Sequence, residues 1–318
     1  MIVEKTLNKR KTANHGEQPE NKRSYPKKLH RQKKMSLFNI LNYLLLTIAA
    51  FVTIFPFLNI IATSFSSSRA ILGQEVMMWP VDFNIDAYIN IIKDGTIFQA
   101  LKNTIVITIG GTLLSMIFTI AIAYPLSRER LRGRGIFLKL IVFTMMFNGG
   151  LIPTFLLIKN MNLVDNYLGL WLVGLVSTYN FFVMKTFFEG IPVSLEESAI
   201  IDGASNLTIL LRIILPLSKP MLATLILFYA VGNWNSYFNV MIYITTPGKQ
   251  SVMVKLMQMV KNADPSLLAI EGASSQMNIT PEGMRAAAIV VSTLPIMVIY
   301  PFVQKYFVQG VMLGAVKG

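Results

Sequence analysis

EESAIIDGASNLTILLRIILPLSKP, Glu196 to Pro220, is a polar and charged island between two strongly apolar blocks. Ser194 followed by Glu197 has the spacing of a capping box, so the sequence predicts a helix starting there. Leu195, Ala199 and Ile200 give that short helix one apolar face. Gly203 can turn the chain or admit another backbone closely. Ile213, Leu215 and Pro216 then lead into the next apolar block. Between two long hydrophobic helices, such a stretch is either a docking element on one side of a membrane or an ordinary interfacial loop.

Composition supplies the membrane. Of 318 residues, 53% are hydrophobic and only 14% charged, against about a quarter charged in soluble domains. Mean hydropathy is +0.53. Several apolar runs approach the roughly twenty residues that cross a bilayer. The formal net charge of +13 does not point to nucleic acid, because much of the excess lies in the first 34 residues, next to a span. Cysteine is absent, and the two histidines, His15 and His30, both sit in the polar tail. Disulfide, thiolate-metal and His-cluster chemistry are therefore not expected.

Residues 1–35 form a basic tail with Lys9, Arg10, Lys11, Lys27, Lys28, Arg31, Lys33 and Lys34. Low hydrophobicity predicts disorder, and its charge predicts a cytoplasmic location. Span 1 covers about Leu37 to Ile61, bent near Pro56. An outside segment with a short helix around Ile85 to Ile92 follows. Span 2 runs from Thr104 to Tyr124, with Gly110, Gly111 and Ser115 allowing close helix contact. Arg128, Arg130, Arg132, Arg134 and Lys139 mark a cytoplasmic turn. Span 3, Ile136 to Ile158, contains Asn148-Gly149-Gly150 and Pro153, which break a helix where it lines a cavity or packs on protein. Span 4, Tyr167 to Phe188, carries Tyr179 and Asn180, which suit either interhelical hydrogen bonds or ligand contact, and Lys185, placed to snorkel. Span 5, Met221 to Tyr237, ends in Tyr229, Asn233, Trp234, Asn235, Tyr237 and Asn239. That set fits stacking on sugar rings or an outer interfacial belt equally. Ser251 to Val260 predicts an amphipathic helix. Span 6 runs from Met284 to Phe307, bent at Pro295 and Pro301, with the tail Val308 to Gly318 inside.

Six spans with a cytoplasmic N-terminus place the arginine-rich turn and the loop 190–219 on the same, cytoplasmic side. No G-x-x-x-x-G-K-[ST] phosphate loop is present, so ATP hydrolysis by this chain is not expected. The spans hold almost no acids and no inverted repeat, which disfavours an ion-coupled secondary transporter. An intramembrane enzyme would need clustered His, Asp or Glu.

The spacing Glu197-Ser198-Ala199, Asp202-Gly203, nine residues, then Ile213-x-Leu215-Pro216 resembles the EAA loop of ABC importer permeases. Ser198 stands where that motif usually has Ala, a small residue that should leave the helix intact. Phe147 to Thr154, FNGGLIPT, resembles a segment of permeases for complex or oligomeric sugars. The chain end, Gln304, Tyr306 to Gly310 and Gly314 to Gly318, resembles carbohydrate permeases of the maltose MalG type. The resemblance spans 37–318 and implies an all-α, six-helix integral membrane protein of the type I ABC importer permease fold. It divides the chain into the tail 1–35 and a permease domain 36–318.

The resemblance implies a carbohydrate importer subunit, for an oligosaccharide delivered by an extracytoplasmic solute-binding protein. A peptide or amino acid is the alternative substrate. It also implies a second permease, a different chain, and two cytoplasmic ATPase subunits that bind the ATP and Mg. Glu197, Ser198, Ala199, Asp202, Gly203, Ile213, Leu215 and Pro216 would form the coupling element, with Glu197 capping the helix or meeting a basic group of the ATPase. Arg212 and Lys219 would anchor the loop at headgroups. Asn148, Tyr179, Asn180, Tyr229, Asn233, Trp234 and Asn235 are the substrate-pathway candidates, and no metal ligands are expected. A bacterial cytoplasmic membrane is the implied location.

Overall fold

A computed structural model describes residues 37–147, 149–261 and 280–315, with side chains described up to 298 and at Pro301. The tail 1–35 and Asn148 lie outside the described residues. The chain divides into two units, Met1–Phe51 and Val52–Gly318. The first is seen from Leu37 to Phe51, an apolar stretch of helix α1 (Leu37–Ser64) whose side chains are all exposed.

The second unit is all-helical among the described residues. Short helices α2 (Ser68–Leu72) and α3 (Asp86–Asp94) precede α4 (Thr96–Ser127). Then come α5 (Arg134–Met146), α6 (Leu151–Asn160), α7 (Tyr167–Val173), α8 (Thr178–Glu189) and α9 (Ser194–Ile201). The turn α10 (Asn206–Ile209) passes through a π-helical stretch, Leu210–Ile214, into α11 (Leu215–Leu217). Helices α12 (Lys219–Trp234), α13 (Phe238–Tyr243), α14 (Val252–Lys261) and α15 (Pro281–Ala315) complete it. Among the described residues, α1 and α4 are each long and apolar enough to cross a membrane; counting α5 with α6, α7 with α8, and Asn206–Leu217 with α12 raises the number to five.

Helix α4 is the axis. Its residues enter all three buried clusters: Ala123 and Tyr124 with Phe181, Phe188 and Leu225; Ile97 and Ala100 with Ile91, Val252 and Ala287; Ile107 with Leu170, Tyr243 and Val254. Polar side chains stitch it to its neighbours. Asn103 Nδ2 donates to the carbonyls of Gly248 (2.7 Å) and Gln250 (3.1 Å), and Thr104 Oγ1 accepts from the Val252 amide at 2.9 Å. The glycines read as contact points are contact points. A Cβ on Gly110 would lie 2.3 Å from the Trp171 ring, and one on Gly111 2.9 Å from Asn233 Nδ2.

Four spans, the second, fourth, fifth and sixth, depart from their expected outlines. The second begins at Thr96, eight residues before Thr104, because Gly95 (φ 69°) caps α3 and turns straight into α4. The polar Gln99, Lys102 and Asn103 hid these first two turns from a hydropathy reading. The fourth is not continuous: α7 and α8 meet at 66°. Gly174 ends α7, Ser177 Oγ caps α8, and the Ser177 amide donates to Tyr229 Oη at 3.1 Å, so the freed backbone is satisfied from α12. The fifth runs from Lys219 to Trp234, and Tyr237 lies beyond it. The third breaks as expected, between Met146 and Leu151, with Gly150 at φ 85°. The amphipathic helix expected at 251–260 is α14. Helix α15 continues to Ala315, well past the expected end at Phe307.

Gly169 gives a test of this packing. A Cβ there would lie 2.2 Å from the Leu163 carbonyl oxygen, a backbone atom that cannot move alone. Gly169→Ala should cost about 1–3 kcal/mol, read as a lower thermal midpoint in detergent; an unchanged midpoint would contradict the contact.

Candidate functional site: the α9 docking face and its anchor

Pro192 and Val193 set the entry to α9. Val193 is already in the right-handed helical region (φ −64°, ψ −28°), and its carbonyl accepts from the amides of Glu196 (2.9 Å) and Glu197 (3.0 Å). The expected capping box is therefore not formed: Ser194 lies inside the helix and no side chain caps it. Ser198, the departure from the motif, sits within an unbroken helix and donates to the Ser194 carbonyl at 2.9 Å.

Gly203 has a specific job at the other end. Its amide donates to the Ile200 carbonyl (3.0 Å), and that of Ala204 to the Ala199 carbonyl (2.9 Å). This pair of bonds is a Schellman motif, with Gly203 as the left-handed residue after the helix (φ 80°). Asp202, the C-cap, is exposed. Downstream, the Leu215 amide bonds to the Leu210 carbonyl, five residues back. Pro216 has no amide hydrogen to offer to the turn before it, and the chain accommodates this in the π stretch. Ser218 Oγ bonds to the Ile214 carbonyl at 2.7 Å, and the chain then turns 85° into α12. Ile213 and Leu215 pack partly buried on the first cluster, while Pro216, Arg212 and Lys219 are exposed.

The apolar residues of α9 do not form one face. Ala199 is buried, whereas Leu195 and Ile200 are exposed and Ile201 is 86% exposed. With Val193, they leave an apolar surface on a helix that has no cover among the described residues. The acids split likewise. Glu197 is exposed, but Glu196 is 2% exposed. Its Oε1 accepts from Arg128 Nε at 2.7 Å, with Arg128 Nη2 at 2.6 Å from the same oxygen. Arg128 Nη1 donates to the Phe188 carbonyl at 2.8 Å, and the guanidinium lies 5.4 Å from the centre of the Tyr124 ring. Arg130 Nη2 adds a longer approach to Glu196 Oε2 (3.7 Å) and a bond to Asn206 Oδ1 (3.0 Å). Glu189 pairs with Arg134 and with Lys185. Lys185 is thus buried in a pair, not extended toward headgroups as expected. These side chains border a recess of about 310 Å³ lined by Ser127 to Arg130, Glu189, Val193 and Glu196.

The Arg128–Glu196 pair escaped the sequence reading, although a signal for it exists. Adjacent residues on a helix are about 100° apart, so Glu196 and Glu197 cannot both face solvent squarely once Ala199 packs inward. An arginine-rich turn was the natural source of a partner.

The pathway candidates scatter. Tyr229 is buried, with its hydroxyl 2.7 Å from Thr119 Oγ1 as well as accepting from Ser177. Asn180 and Trp234 are buried, and Asn233 Nδ2 reaches Thr112 Oγ1 at 3.4 Å. Tyr179 is 61% exposed, with its ring 6.5 Å from that of Phe228, and Asn235 is exposed. No group of three or more His, Cys, Asp or Glu suited to a metal occurs among the described residues.

At the other end of α4, Asp165 organises a second cluster. Its carboxylate accepts from the amides of Thr245 (3.0 Å) and Thr246 (2.8 Å), from Thr246 Oγ1 (2.8 Å) and from Lys249 Nζ (2.7 Å). The Lys249 ammonium, with the Thr246 amide and hydroxyl, holds the Asp165 carboxyl well below the usual carboxylate range. A depressed folded value means that the carboxylate's contribution is complete above about pH 4 and is lost as pH falls through that lower value. The Thr245 and Thr246 amides should therefore stay protected from hydrogen exchange from about pH 5 to 8, and Asp165→Asn should expose them across that range. Equal protection in the variant would contradict the clasp.

No protein-family model matches the chain. It is 40% identical over 291 residues to Protein LplC of Bacillus subtilis (strain 168), covering 91% of this chain and 98% of that one. It is 40% identical over 289 residues to the polygalacturonan/rhamnogalacturonan transport system permease protein YtcP of the same organism, covering 90% and 100%. Among solved structures, a chain of a bacterial ABC transporter involved in the import of the acidic polysaccharide alginate aligns with a TM-score of 0.80 and 37% identity. That alignment covers 85% of this chain and 96% of the other.

Proposed function

The chain belongs to the membrane permease subunits of carbohydrate-importing ABC transporters, and on that premise we propose that α9 is the element through which ATPase subunits drive it. The observation that carries this reading is the uncovered apolar surface of Val193, Leu195, Ile200 and Ile201 on a helix anchored from beneath by Glu196 and Ala199. A short helix that leaves apolar side chains exposed suits a groove in a partner. Glu197, Ser198, Asp202 and Gly203 are exposed on the same helix and its closing turn, and Ile213, Leu215 and Pro216 lead from it to the bend at Ser218. The ATPase pair binds ATP and Mg; this chain contributes no residue to that chemistry.

Six spans, α15 being the sixth, cross a bacterial cytoplasmic membrane in a type I importer permease fold of the MalG-like kind. The basic tail 1–35, the arginine-rich turn and the loop 190–219 face the cytoplasm, as positive charge favours; residues 36–318 form the permease domain. A second, unlike permease completes the pore, and an external solute-binding protein loads it. Tyr179 and Asn235 are the exposed members of the pathway set. Asn180, Tyr229, Asn233 and Trp234 frame it from within, and Asn148 belongs to it by its place in the sequence.

The substrate is an oligosaccharide, and the relatives favour an acidic one. Polygalacturonan and alginate, in the names of two of them, both break down to uronate oligosaccharides. Reconstituted with its binding protein, the complex should hydrolyse ATP faster with trigalacturonate than with maltotriose. A response to maltotriose alone would overturn the uronate assignment.

A further inference from the structure

We propose that Arg128 and Glu196 are positioning residues that transmit the movement of α9 into the membrane-spanning helices. The inference rests on the reading of α9 as the ATPase-driven element. Among the residues of α9, only Glu196 and Ala199 are buried, so the load passes inward through those two. Ala199 offers a single methyl. Glu196 offers a charge-assisted link to a guanidinium held on three sides: by the carboxylate, by the Phe188 carbonyl at the end of α8, and by the Tyr124 ring in the last turns of α4. Arg128 is itself the residue that caps α4. One side chain thus joins the ends of α4 and α8 to the first turn of α9.

The lever it would move is well defined. Helix α4 has 32 residues, a length of about 48 Å at the usual rise. At its far end Asn103 and Thr104 hold the 248–252 segment, which Asp165 and Lys249 also grip. A tilt of α4 imposed at Arg128 is therefore delivered to the 248–252 segment, which Asn103 and Thr104 hold. The pair is buried at both members, with 7% and 2% of the side chains exposed, so salt in the medium does little to weaken it. The fixed fork of a guanidinium also resists rotation, as a lysine would not.

The test uses the assembled complex. Because the chain has no native cysteine, a Tyr179→Cys variant carries a single thiol in this subunit, at the kink between α7 and α8. In that background, trapping with ATP and vanadate should change the rate of maleimide labelling by about tenfold, within the range of ordinary coupling between two sites. Adding Glu196→Gln or Arg128→Lys should leave the ATPase co-purifying and ATP hydrolysed, while the labelling change falls below about twofold. A labelling change of unaltered size in both variants would overturn the proposal. So would loss of ATPase binding in both, since the pair would then shape the docking surface instead of transmitting from it. The docking reading fails separately: in Gly203→Val, unaltered ATPase binding sinks that reading and leaves the Arg128–Glu196 measurement standing on its own.

Discussion

Glu196→Ala is expected to destabilise the chain by about 3–5 kcal/mol, the range for removing one partner of a buried ion pair. The cost is not that of the lost contact alone. Truncation strands the Arg128 guanidinium, 7% exposed, against a carbonyl and an aromatic ring. Arg130 cannot replace the lost charge, being itself cationic. The double variant Arg128→Met with Glu196→Leu removes both charges at similar volume and should recover most of the loss. Thermal midpoints of the wild type, the two single variants and the double variant in detergent form the cycle. If Glu196→Ala alone melts with the wild type, the pair is not buried as described.

The second large effect concerns Gly203. Nothing lies within 4 Å of a Cβ built there, so a side chain has room, but φ is 80°. Strain, not collision, is then the issue, at about 1–3 kcal/mol for a residue held in a sparsely populated region. A β-branched residue suffers most, while Asn tolerates the left-handed region. Gly203→Val should undo the two bonds that end α9 and swing Ile200 and Ile201 out of place. ATPase co-purification should drop sharply with Val and much less with Asn. Equal loss with both would mean that the partner fills the space at Gly203, and that the turn itself matters little.

How the sequence relates to the structure depends on the residue. The glycine turn at Gly203 was legible because Gly acts through its own backbone, whereas the 85° bend at Ser218 was not. The break before Leu151 was legible for the same reason. The break between α7 and α8 was not: only Gly174 and Ser177 mark it locally, and its stability comes from Tyr229, 52 residues beyond Ser177. Tyr229 shows why the pathway set blurred. Its type suits a sugar as well as it suits the bond to Thr119, and only distance decides which partner it has. The choice between Glu196 and Glu197 needed the third dimension too. The motif draws attention to Glu197, on the exposed side; burial singles out Glu196, 68 residues after its arginine.

Cross-linking from Ile201 asks whether α9 meets the ATPase. This residue is the most exposed apolar side chain of α9. With Ile201→Cys in the assembled complex, a short thiol-reactive cross-linker should join this chain to the ATPase subunit in high yield, and Ile201→Glu should abolish ATPase co-purification. An Ile201→Cys complex that cross-links only to the other permease or to lipid, together with an Ile201→Glu chain that still holds its ATPase, would contradict the account.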